Sequence, residues 1–315
     1  MLPYTYRVTK YDPADRDGYG RYTGIEHSES DRGPVEAGYL SAVAAFARDS
    51  GSTEVSIREP GVGGPVESGP AATAAGHGLA GLFPPDLTGY HDGARVPVAT
   101  ALELVRAMLR HSGAWCRLED EGRFFVHVGY DQYVYVGSTD PCERALAHTR
   151  ELGLFPEAMV GSPYAPDLDA PAPRVADAGF WAETAALVAA RGAVILEEGY
   201  LASTSRWHRL TTATLDPIRA RLAPRARLLV RPDLSPDVAG VLASVTGDDL
   251  FRLVWETGTR HLAALVTRGE DPDLARTLTG ARAAMALSLD PAESAPLLSA
   301  VLPDPDTALR ARWTP

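Results

Sequence analysis

Seven arginines fall between Arg206 and Arg231, in the segment RWHRLTTATLDPIRARLAPRARLLVR, against a single acid, Asp216. The segment carries a net charge of +6 inside a chain whose net charge is −11. A local reversal of sign suits an anion, nucleic-acid phosphate among them. If 225–231 is a strand, its side chains alternate between faces. Ala226, Leu228 and Val230 then take one side, and Arg225, Arg227, Leu229 and Arg231 the other. Three guanidiniums would project together. Arg206, Trp207, His208 and Arg209 lie just upstream and add a basic aromatic cluster suited to phosphate contact and base stacking. The same pattern also describes a solvated edge strand whose arginines guard against edge-to-edge pairing. Lys10 is the only lysine in the chain, so the preference for arginine is global and lowers the weight of any one of them.

A second group is the aromatic hairpin RFFVHVGYDQYVYVG, Arg123 to Gly137. Register decides its meaning, because a slip of one residue moves every side chain to the opposite face. With an even loop, Phe124, Val126 and Val128 share a face with Tyr133 and Tyr135. With an odd loop they share it with Val134 and Val136, and Phe125, His127, Tyr133 and Tyr135 gather on the other side. The odd register separates an aliphatic face from an aromatic one and is the one expected. Such a face could be a stacking platform, a pocket wall or ordinary core under a helix. His91, in the loop GYHDG, has an adjacent acid and could join an acid–base site, although neighbours of this kind more often decorate a turn. The other histidines are scattered and no CxxC occurs, so no metal and no cofactor is expected. GVGGP at 61–65 lacks the Lys-Ser/Thr pair of a phosphate loop. No segment carries the aromatic signature of the common RNA-recognition motif.

The elements that must hold these residues follow from length and punctuation. A chain of 315 residues, 45% hydrophobic and 23% charged, suits two globular domains. No apolar run reaches eighteen residues and no leader pattern opens the chain, so no membrane partner and a cytoplasmic location are expected. The N-terminal domain, 1–161, reads as an α+β unit with a long Gly/Pro-rich loop at 59–97, expected to be partly disordered near 61–78. The segment SPYAPDLDAPAPRVADA, 162–178, reads as a proline-rich linker. In the C-terminal domain, 179–315, the stretch 225–289 reads β-α-β-β-α-β, the order of a ferredoxin-like α+β core. Helix 291–300 and strand 308–313 would close the chain. In the first domain, Asp140 and Pro141 read as cap and first residue of a helix 141–152.

The phrases YTYRVTKYDPADRDGYGRYTG, GLFPPDLTGYHDGARVP, GAWCRLEDEGRFFVHVGYDQYVYVG, SRWHRLT and LRARW resemble a family of actinobacterial, Streptomyces-type proteins often labelled RNA-binding. The resemblance implies nucleic-acid binding and brings no catalytic residues. The expectation is therefore a non-catalytic binding protein that meets RNA through the arginine segment. One alternative is an interaction or immunity-type module whose acidic remainder meets a basic protein. The other is an enzyme with a pocket around His127, Tyr133, Tyr135 and His91.

Overall fold

The computed structural model describes residues 2–63, 76–165, 173–202, 204–290 and 293–311. They form two compact units. The first contains the described residues up to 165, and the second those from 173 onward. The division falls inside the proline-rich segment expected to link two domains. Residues 166–172 of that segment, and 64–75 of the stretch expected to be disordered, lie outside the described residues.

The first unit runs β1 (Tyr4–Thr9), α1 (Pro34–Asp49), β2 (Glu54–Val62), β3 (Arg95–Pro97), α2 (Val98–Leu109), β4 (Ala114–Asp120), β5 (Phe124–Val128), β6 (Val134–Ser138), α3 (Glu143–Glu151) and β7 (Phe155–Met159). Its strands make one antiparallel sheet in the order β3-β2-β4-β5-β6-β1-β7. Pairing of Phe124 with Ser138, Val126 with Val136 and Val128 with Val134 is the odd register. The aliphatic face is thereby buried: Val126 and Val136 are each 1% exposed. The adjacent Tyr6 of β1 meets Phe46 of α1, with ring centroids 5.8 Å apart. The opposite face carries Arg7, Arg117, Phe125, His127 and Tyr135. The helix expected at 141–152 starts at Glu143. Cys142 precedes it in the left-handed region at φ 51°, so Asp140 and Pro141 stand outside it. The loop between β2 and β3 is not structureless where it is described. Leu79 and Tyr90 are fully buried, and Tyr90 donates its hydroxyl to the carbonyl of Trp115 at 3.0 Å.

The second unit runs α4 (Ala178–Arg191), β8 (Val194–Leu201), β9 (Thr204–Leu210), α5 (Leu215–Arg219), β10 (Arg227–Pro232), α6 (Val238–Ser244), β11 (Leu250–Glu256), β12 (Leu262–Arg268), α7 (Leu274–Thr277), β13 (Ala283–Ser288) and β14 (Leu298–Val301). α4 has clear ends. The Asp177 carboxylate accepts from the Phe180 amide at 2.9 Å, and Gly192 turns the chain out at φ 81°. The β-α-β-β-α-β order expected over 225–289 is present as β10-α6-β11-β12-α7-β13. A single ferredoxin-like sheet is not. β10 joins a four-stranded sheet, β14-β10-β8-β9, while β11, β12 and β13 form a separate three-stranded one, β12-β11-β13. The two sheets pack through Ile195 of the first and Val254 and Ala283 of the second, with Trp207 against them. α6 and α7 line the other side of the small sheet through Leu253, Trp255 and Leu274. The segment expected as a helix at 291–300 instead supplies β14. Among the described residues, 308–311 form no strand.

Candidate functional site

The arginine segment is built into the interior of the second unit. The strand starts at Arg227, and Arg225 lies before it at φ 56°. Arg225 therefore does not share the strand face expected for it. It forks onto Asp304 instead, with Nε to Oδ1 at 2.6 Å and Nη2 to Oδ2 at 2.9 Å. Arg227 and Arg231 do share a face, and that face turns toward the small sheet. Arg231, 7% exposed, donates to Glu197 of β8 at 2.8 Å and to the Ser294 carbonyl at 2.8 Å. Arg252 of β11 reaches the other oxygen of Glu197, also at 2.8 Å. Burial lowers the pKa of Arg227; Glu197 works against that, and Arg252 and Arg231 add to it.

The upstream cluster is partnered in the same way. Arg206 lies over the Tyr200 ring, 3.8 Å from its centroid. His208 bonds Glu198 at 2.7 Å, and Glu198 also accepts from the Ala223 amide at 2.6 Å. Arg209 forks onto Asp233, and its pKa is raised by that hydrogen bond. Trp207 packs into the inter-sheet core. The charge excess read from the sequence is real, but carboxylates distant in sequence meet most of it.

In the first unit, Phe125 and His127 stack in parallel, 4.4 Å apart. His127 is 2% exposed, and its Nδ1 lies 2.9 Å from Ser162 Oγ. Its Nε2 lies 3.6 Å from Glu119. The Tyr164 amide also donates to Ser162 Oγ at 3.1 Å. Tyr135 meets the Tyr164 ring at 5.7 Å. Tyr133 belongs to a different neighbourhood, against Tyr11 and under Arg7, and burial pushes its hydroxyl up to about 12. His91 is apart from both groups; its Nδ1 bonds the Asp92 carbonyl at 2.9 Å. The expected His127–Tyr133–Tyr135–His91 pocket is therefore not assembled.

A cleft of about 400 Å³ opens beside this face, at the start of β4 and the end of β5. Its walls are aromatic: Trp115, Tyr130, Tyr164 and the His111 ring. Met108 and Val128 add apolar surface, and among the described residues no carboxylate, lysine or arginine lines it. Trp115 is held in place by its indole N–H, which donates to the Val128 carbonyl at 3.0 Å. Tyr164 stands 6.1 Å from Trp115, centroid to centroid, and its hydroxyl accepts from the Tyr130 amide at 3.1 Å. Tyr130, 61% exposed, sets its ring edgewise to His111 at 5.5 Å. Two glycines make the shape feasible. Gly113 sits at φ 99°, where other residues are strained. At Gly129 a Cβ would come within 2.8 Å of the Tyr164 ring.

Val128, Gly129 and Tyr130 of the aromatic hairpin line this cleft, but Phe125, His127, Tyr133, Tyr135 and His91 do not. The signals were weak. Trp115 opens a strand, Tyr130 lies in a turn, and Tyr164 is buried in a run of prolines that reads as linker. Among the described residues no group of His, Cys, Asp and Glu is arranged to hold a metal ion, and no helix is long and apolar enough to cross a membrane. Cys116 is fully buried, and burial pushes its thiol up to about 12, far from a nucleophile's range. Comparison with protein-family models, with curated proteins and with solved structures finds no match.

Proposed function

We propose that this protein is a binding protein whose N-terminal unit holds a small, uncharged, aromatic molecule in the Trp115–Tyr130–Tyr164 cleft. The observation that carries the reading is the lining. Four aromatic rings line a space of about 400 Å³, and among the described residues no carboxylate, lysine or arginine faces it. Clefts of this size with apolar walls and few polar groups suit small ligands. Ring walls favour a flat, π-bearing partner, and the lack of a counter-charge disfavours an ion. A titration with phenylnaphthylamine, a neutral aromatic dye that brightens in apolar surroundings, tests it. One saturable site is expected, weakened roughly tenfold by Tyr130→Ala, which removes one exposed wall. Absence of saturable binding, or binding indifferent to Tyr130→Ala, would overturn the reading.

RNA binding through the second unit is the competing reading. It is favoured by the net charge of +6 over Arg206–Arg231, of which Arg219 and Arg221 are exposed. Phosphate contacts would make such binding fall steeply with salt. Filter binding of single-stranded RNA decides: retention at about 50 mM salt that is lost on raising it supports this reading, and no retention dismisses it.

A further inference from the structure

We infer that the segment Ser162–Tyr164 is a strap that closes one side of the cleft, and that His127 acts through Ser162 as the positioning residue that latches it. The inference rests on the cleft being a binding site, but its geometry is independent of any ligand. After β7 the chain leaves the sheet at Val160, which is 91% exposed, and returns at once. Three polar contacts bring it back. Ser162 Oγ meets His127 Nδ1 at 2.9 Å. The Tyr164 amide folds onto the same Oγ at 3.1 Å. Arg117, 5% exposed and ion-paired with Glu59, donates Nη1 to the Tyr164 carbonyl at 2.9 Å. These contacts fix both peptide groups of Tyr164, and the ring lies across Gly129, between Trp115 and Tyr135.

The consequence is a division of labour. Trp115 and the β5 strand are a rigid floor, hydrogen-bonded within the sheet. Tyr164 is a wall carried by a short segment with little apolar burial of its own: Pro163 and Ala165 are exposed. Such a segment opens more readily than a sheet. His127 is buried beneath the strap and does not line the cleft, so its part is to hold Ser162. A ligand seated against Tyr164 would favour the latched state, and release would require the latch to open.

The test uses the ligand-free full-length protein. The Tyr130 amide donates to the Tyr164 hydroxyl, so its hydrogen exchange reports whether the wall is in place. Ser162→Ala removes the latch by the loss of a single oxygen atom. It is expected to speed Tyr130 amide exchange by roughly three- to tenfold, the effect of losing one or two hydrogen bonds, while the Val126 amide in the sheet stays protected. Tyr164→Phe should speed Tyr130 exchange alone and leave the Trp115 indole N–H as slow as in the parent. Unchanged Tyr130 exchange in Ser162→Ala would overturn the latch. Faster exchange in Ser162→Ala together with failed dye binding in the parent would uphold the strap and dismiss the ligand reading, so the two failures are separable.

Discussion

Glu197 is 2% exposed and holds Arg231 and Arg252 by one oxygen each. A carboxylate so deeply placed has lost its water, and the guanidiniums and Ser205 offset that loss. Removing it would leave cationic groups facing each other between two sheets. Glu197→Ala is therefore expected to destabilise the protein by about 3–5 kcal/mol in urea unfolding, as for other broken buried pairs. A loss below about 1 kcal/mol would instead place these arginines among solvated surface charges. The same residue explains why the charge excess between Arg206 and Arg231 misleads when read alone. Its counter-charges, Glu197, Glu198, Asp233 and Asp304, lie before and after it in the chain, and only folding brings them to it. At the cleft, Trp115, Tyr130 and Tyr164 carry no motif. They come from three separate segments, so nothing in their spacing points to a common site.

α1 and α2 are tied by a buried carboxylate. Glu36 of α1 accepts from Arg110 beyond α2 through both oxygens, at 2.7 and 2.6 Å, and Ser30 joins it. The Arg110 hydrogen bonds hold the Glu36 carboxyl below its ordinary value of 4.5, against the opposing effect of burial. A depressed folded-state pKa means that the stabilisation is complete above the unfolded-state value and is lost as pH falls through the folded one. The urea midpoint should therefore fall on acidification more in the parent than in Glu36→Gln. The advantage of the parent at pH 7 should shrink below about pH 4. Parallel curves for the two proteins would contradict it. At this scale much of the fold is legible. The β-α-β-β-α-β element order over 225–289 is present, and the hairpin register follows from separating valines from aromatics. Other elements are not. TSRWHRL, strand β9, lacks the apolar alternation that marks a half-buried strand, since its charged residues pair within the unit. LSAV reads as helix by composition and becomes β14 because it pairs with β10, a contact across some seventy residues. The same long-range pairing draws β10 out of the ferredoxin-like sheet that local order suggests.

Across the whole chain the net charge is −11, and Arg225, Arg231 and Arg252 of the second unit pair with carboxylates, whereas the described residues of the first unit form an aromatic cleft lined by no carboxylate, lysine or arginine. Binding there needs no ion pairing, so it should be nearly indifferent to salt, in contrast to phosphate recognition. The chain has five tryptophans, and among the four described Trp115 alone lines the cleft. Fluorotryptophan-labelled protein, with the Trp115 resonance assigned through Trp115→Phe, therefore reads the site directly by fluorine NMR. On saturation with phenylnaphthylamine the Trp115 resonance should shift while those of Trp181, Trp207 and Trp255 stay in place. A spectrum in which Trp115 does not move, or in which Trp207 moves instead, would contradict the assignment of the cleft as the binding site.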